Sequence, residues 1–201
     1  MSKLRRYLPP LAVMLAAGNI LVGLAILFSL SARLPYPFDS VEKELLTDIA
    51  TMEKWVQDRN PKLSVQTVSR IVAASIESGE EFSLEPTLLI AMATHESNLN
   101  PEASSSAGAR GLMQVMPNFH QDKLKGRNPS NIETSIWVGA EIFHNCQKRF
   151  KWRQDKTQAF ACYSGFTPST VAPYQRKVES LHANLNKALV RARAETKACT
   201  K

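Results

Sequence analysis

The residue best placed to do chemistry is Glu96. Leu89, Met92 and Glu96 stand at i, i+3 and i+7, so one carboxyl shares a helical stripe with two apolar side chains. The same carboxyl falls in the last turn of that helix, where the negative end of the helix dipole opposes a second negative charge. Desolvation and dipole both favour the protonated acid near neutral pH. Glycosidic bond cleavage requires a neutral acid, because the leaving oxygen must take up a proton as the bond breaks. A glutamate paired with a cation, or lying on the helix surface, fits the same position, so helix position alone leaves both readings open.

The elements that must position this residue read as mostly helical. Val41, Leu45, Ile49, Met52 and Val56 recur at three- and four-residue steps and predict an amphipathic helix over 40–59. A second helix is expected over 64–80, with Val65, Val68, Ile71, Val72 and Ile76 on one side and Gly79 near its end. Ser83 is the expected cap of the third helix, which tolerates Pro86 in its first turn, runs through Leu88, Leu89, Met92 and Ala93, and stops at 98–101 (NLNP). Residues 104–117, rich in small side chains and glycine, predict turns and short strands. Ser130 and Glu133 have capping-box spacing and open a helix to about Phe150, with Ile132, Ile136, Ala140 and Phe143 inward. A shorter helix over 157–163 ends by Gly165, and 171–194 holds one or two more.

Around Glu96 the order of residues is more specific than its helix position. The segments 95–101 (HESNLNP), 105–117 (SSAGARGLMQVMP) and 161–165 (ACYSG) together resemble the soluble lytic transglycosylase catalytic domain. The resemblance spans about 64–189 and implies a mainly α, α+β lysozyme-like fold with a small irregular β patch. It implies Glu96 as the general acid and base, Ser105 and Tyr163 as polar groups beside the reacting sugar, and Met113 and Gln114 as cleft-lining sugar contacts. Gly111 lets the backbone pass close by. Tyr174 and Lys177, within 171–178 (VAPYQRKV), resemble the family's terminal Y-x-x-K-V stretch, whose tyrosine can border the cleft. One position departs from the pattern. Ser164 stands where the family has asparagine, and that amide's role is not carried over. Met116 reads as core, Ser97 as a local hydrogen-bonder at the helix end, and His95 as structural, since residues i and i+1 do not share a helix face.

Within the three motifs no second acidic residue accompanies Glu96; Glu102 and Asp122 lie outside them. A retaining or inverting glycosidase needs that second carboxylate. The resemblance implies instead that the substrate's muramic acid 6-hydroxyl attacks its own anomeric carbon, leaving a 1,6-anhydro sugar, with no metal and no cofactor. A lysozyme-type hydrolase shares the fold and the acid and stays open as an alternative. So does a weakly catalytic wall-binding subunit of an envelope-spanning secretion, conjugation or phage machine. Either way the implied partner is the glycan strand of peptidoglycan, with machine proteins as further candidates.

Length and composition set the frame. With 201 residues, 44% of them hydrophobic, the chain holds one core of ordinary size plus an apolar N-terminal run. A net charge of +7 suits anionic polymers. Nucleic acid is not expected as a partner, since zinc-finger spacing, RNP-like sequence and a phosphate-binding P-loop are all missing. Residues 11–30 carry no charge and, as a helix, cross roughly 30 Å of hydrocarbon. Lys3, Arg5 and Arg6 precede them, which puts the N-terminus inside and the rest outside: a single-pass inner-membrane protein with a periplasmic catalytic domain. A cleaved signal peptide is the rival reading, disfavoured by the length of the run. The expected divisions are 1–32 (basic tip and anchor), 33–63 (linker and amphipathic helix), 64–190 (catalytic domain) and 191–201 (basic tail). Cys146 and Cys162 fall on successive helices, and an oxidising compartment permits a bridge if those helices pair; separate buried thiols are the other reading, and Cys199 is left over.

Overall fold

The computed structural model of the chain describes residues 38–151 and 155–198. The apolar run at 11–30, the first five residues of the expected linker (33–37), and Cys199 lie outside the described residues. The chain divides into two units, Met1–Leu46 and Thr47–Lys201, and the site lies wholly within the second.

Among the described residues the order is α1 (Phe38–Arg59), α2 (Val65–Phe82), α3 (Pro86–Ser97), a 3-10 turn (Pro117–Phe119), α4 (Gln121–Leu124), α5 (Ile132–Arg149), α6 (Lys156–Ser164) and α7 (Ala172–Ala198). The fold is therefore mainly helical. Among the described residues the β content is two isolated antiparallel bridges, Ser104 with Arg110 and Arg110 with Val115, inside the segment whose small residues predict turns and short strands. Among the described residues no helix is long and apolar enough to cross a membrane.

The centre of the second unit is α3. Every residue from Thr87 to Ala93 is buried, so this helix is enclosed on all sides rather than amphipathic. It packs against α2 on one side and α7 on another, with α5 behind, while α5 packs against α2 and α6. α7 is one continuous helix, and Tyr174, Val178, Leu185 and Leu189 form its buried stripe. The part of α1 in the second unit buries Met52, Trp55 and Val56. Trp55 Nε1 donates to Asn184 Oδ1 at 3.2 Å, tying α1 to α7.

Two capping expectations are corrected. Ser83 does not cap α3: it ends α2 in the left-handed region (φ 54°), its N–H bonded to the Gly79 carbonyl, and Glu85 takes the N-cap of α3 without a side-chain bond. Pro86, which has no N–H to satisfy, makes a side-chain cap less necessary there. Likewise α5 is capped by Asn131, whose Oδ1 accepts from the Thr134 N–H at 2.9 Å, not by a box between Ser130 and Glu133. Glu133 turns outward to Arg70 instead.

Cys146 on α5 and Cys162 on α6 form a disulfide, with Cα atoms 5.8 Å apart and a sequence separation of 16. The bridge clamps α6, and with it Tyr163, against α5.

Candidate active site

Glu96 leaves the core where α3 ends. Its Oε1 accepts a hydrogen bond from the Tyr174 hydroxyl of α7 at 2.7 Å. Burial pushes the Glu96 carboxyl above the usual carboxylate range, and the Tyr174 hydrogen bond opposes the shift without cancelling it. Both nearby phenols are pushed well above their ordinary value by burial and by the neighbouring Glu96 charge, so they remain donors. The Tyr163 hydroxyl donates to the Met113 carbonyl at 2.9 Å. Beneath these groups the rings of Phe143, Phe160, Tyr163 and Tyr174 form one aromatic layer with centroid separations of 5.3–6.1 Å.

The loop between α3 and α5 is held by contacts that only certain residues allow. Asn98 and Leu99 both sit at positive φ (52° and 61°), reversing the chain directly after the acid, and Leu99 is fully buried. Burial of Leu99 holds this left-handed pair in place, a local strain that the apolar core supports. Ser97 Oγ lies 3.0 Å from the Ala93 carbonyl and 2.9 Å from the Leu112 carbonyl, so it bonds its own helix and the loop opposite. Gly111, at φ 76°, passes against the Pro129 carbonyl, and any Cβ there would collide with that carbonyl and with Ser135 Oγ. Ser135 Oγ in turn accepts from the Met113 N–H at 3.1 Å. One buried hydroxyl on α5 therefore fixes the stretch of loop whose Met113 carbonyl receives Tyr163.

The family model described as Transglycosylase SLT domain matches residues 73–184, more than half of the chain. The chain belongs to this family. Membership brings a lytic transglycosylase type of function acting on peptidoglycan. A comparison with curated proteins finds no match.

In this SLT domain, the residues singled out from sequence do not all occupy one place. Tyr174 is bonded to Glu96 and Tyr163 to the Met113 carbonyl, and the rings of Phe143 and Phe160 join the two tyrosines into one group. Met113 departs from the expectation of a sugar-lining side chain. That side chain is 1% exposed and packs into the notch left by Gly139 on α5, so only its backbone reaches the site. Gln114, at φ 45°, spends its Nε2 on the Ala103 and Gly111 carbonyls at 3.3 and 3.0 Å. Ser105 is exposed in the turn closed by the Ser104–Arg110 bridge, where its Oγ accepts from the Ala109 N–H at 3.1 Å. Ser105 and Gln114 therefore shape the neighbouring loop, and among the described contacts neither touches the carboxyl.

The two acidic residues near the motifs stay apart from the SLT site. Glu102 is exposed, and Asp122 pairs with Lys123 at 2.6 Å on the surface. Ser164, the departure from the family pattern, turns its Oγ back to the Phe160 carbonyl at 2.8 Å. Sequence reasoning gave no place to Ser135 or Gly139. A glycine in mid-helix, which weakens a helix by about 1 kcal/mol relative to alanine, was the available signal for the close packing at 139. His95 also comes nearer than expected: its ring lies edge-on to Tyr174 at 4.8 Å, and burial and Lys177 hold its pKa below the ordinary value.

Proposed function

We propose that this SLT domain cleaves the β-1,4 bond between N-acetylmuramic acid and N-acetylglucosamine in peptidoglycan, with Glu96 as sole acid and base, and forms 1,6-anhydro-muramic acid. The observation that carries the reading is the Glu96 carboxyl, which burial pushes above the usual carboxylate range and a neutral hydroxyl aligns at 2.7 Å. Among the described residues the groups acting on it are burial and Tyr174, with no second carboxylate beside them.

The protonated Glu96 donates to the glycosidic oxygen as the bond to the anomeric carbon breaks, and is left as a carboxylate. Tyr174 then donates to a charged oxygen, where its hydrogen bond is stronger. The muramic acid 6-hydroxyl closes on the anomeric carbon and returns its proton to Glu96, so the acid is regenerated and no water is consumed. The attack is intramolecular, which favours it over water in a closed cleft. Ser105 and Gln114 act in this reading by holding the 103–115 loop that borders the sugar.

Purified peptidoglycan incubated with the protein releases muropeptides one water lighter than the products of hydrolysis, read by mass spectrometry. Full reducing ends overturn the transglycosylase outcome and leave a hydrolase. We also propose that residues 11–30 anchor this domain at the outer face of the inner membrane, on the strength of the uncharged run and its basic flank. Retention in the membrane fraction through an alkaline carbonate wash is the expected result. A soluble form beginning near Ala32 overturns it.

A further inference from the structure

The aromatic layer beneath Glu96 does not stop at the core. Phe166 follows the left-handed Gly165 (φ 73°) that ends α6, and its ring lies 6.3 Å from the Tyr174 ring at 55°. Phenylalanine has no polar group to satisfy outside and belongs inside on transfer energetics. Here it is 52% exposed, beside the ring whose hydroxyl holds the acid. The residue before the turn accounts for its placement. Ser164 Oγ, already bonded to the Phe160 carbonyl, accepts from the Phe166 N–H at 3.4 Å, so the hydroxyl at the departing position of the third motif helps set the backbone that presents the ring.

We propose that Phe166 is a substrate-binding residue that packs its ring on the apolar C–H face of a saccharide unit next to the one cleaved at Glu96. A pyranose carries its hydroxyls at the rim and C–H bonds on its faces, and a rigid exposed phenyl covers such a face at small entropic cost. Binding here depends on ring shape more than on one hydrogen-bonding substituent. The proposal rests on the glycan-cleaving reading of Glu96.

The test compares Phe166→Ala, Phe166→Trp and the wild type on soluble uncrosslinked peptidoglycan strands, following both KM and kcat, with thermal melting alongside. Losing the phenyl face that the sugar would cover is expected to raise KM roughly tenfold in Phe166→Ala, with a much smaller change in kcat. Phe166→Trp restores KM, and all three proteins melt within a few degrees of one another. If the wild type cuts strands and Phe166→Ala keeps its KM within twofold, the stacking role is overturned while the reading of Glu96 stands. Stacking is equally overturned if Trp fails to rescue, or if kcat alone falls. If the wild type neither binds nor cuts the strands, both readings fall together.

Discussion

Two glutamates of this protein sit at opposite ends of helices and are pushed in opposite directions. Glu133 lies in the first turn of α5, half-exposed, where both of its oxygens receive Arg70 at 2.8 Å. The Arg70 hydrogen bonds hold its carboxyl below the usual range. Glu96 lies in the last turn of α3, against the dipole, partly buried, with a neutral phenol as partner, and its carboxyl pKa is raised. A carboxylate given a cation stays charged and fastens a surface. A carboxyl given burial and a hydroxyl holds its proton to higher pH. The difference lies in the partner and the solvent, not in the residue type.

Glu96→Gln breaks the comparison most severely. It keeps size and a hydrogen-bond acceptor but removes the dissociable proton, and muropeptide release should fall roughly 10²- to 10⁴-fold. Stability should move the other way. A raised folded-state pKa favours folding below the unfolded value, and that contribution is lost as pH rises through the folded pKa. The variant lacks this loss, so its melting temperature should exceed that of the wild type by a margin that widens from acid to neutral pH. Unchanged turnover removes Glu96 from the mechanism; a margin that shrinks with rising pH removes the desolvation argument.

Next in size is the Cys146–Cys162 bridge, which closes a 16-residue separation on the site side and has no counterpart at Arg70–Glu133. Its removal by Cys146→Ser with Cys162→Ser should cost about 3 kcal/mol of unfolding free energy, measured by denaturant titration. A loss below about 1 kcal/mol means that the α5–α6 packing around Phe143 and Phe160 suffices without it.

Tyr174→Phe tests the neutral partner directly. The hydroxyl's hydrogen bond lowers the Glu96 pKa, so deleting it should move the alkaline limb of the pH–rate profile further up while turnover falls roughly tenfold. A limb that stays put shows that Tyr174 does not act on the ionised acid.

The helices of the second unit were legible because their apolar residues repeat at helical spacing: 64–80 became α2 and 157–163 became α6 with shifts of one or two residues. Motif order singled out Glu96, Tyr163 and Tyr174, and the structure hydrogen-bonds Tyr174 to Glu96 and Tyr163 to the Met113 carbonyl. What the sequence left hidden is whatever depends on the third dimension. Caps at Asn131 and Glu85 hinge on which of several adjacent polar residues the chain direction favours, and Ser83 or Ser130 satisfies the same local rule. Met113 looked like a cleft residue because nothing local reveals that Gly139, 26 residues on, leaves a notch for its side chain. Phe166 carried no periodic signal, standing alone in the connection between α6 and α7, and its meaning comes only from the ring of Tyr174 beside it.

The smallest expected effect belongs to the other glutamate, and its sign sharpens the contrast. Glu133→Gln removes a bidentate ion pair whose side chains are 45% and 47% exposed, so solvent already screens most of its Coulomb energy. The loss should stay below about 1 kcal/mol and shrink further in high salt. Because the folded-state pKa is depressed, this contribution is present above the unfolded value and disappears as pH falls through the folded one. The melting difference between wild type and Glu133→Gln should therefore vanish in acid and be largest near neutrality. Turnover on peptidoglycan should stay within twofold, since Arg70 and Glu133 join α2 to α5 and touch no residue of the Glu96 group. At neutral pH the two Gln variants thus shift melting in opposite senses, Glu96→Gln upward and Glu133→Gln downward. Shifts of the same sign would mean that burial and ion pairing do not set the two carboxyls apart.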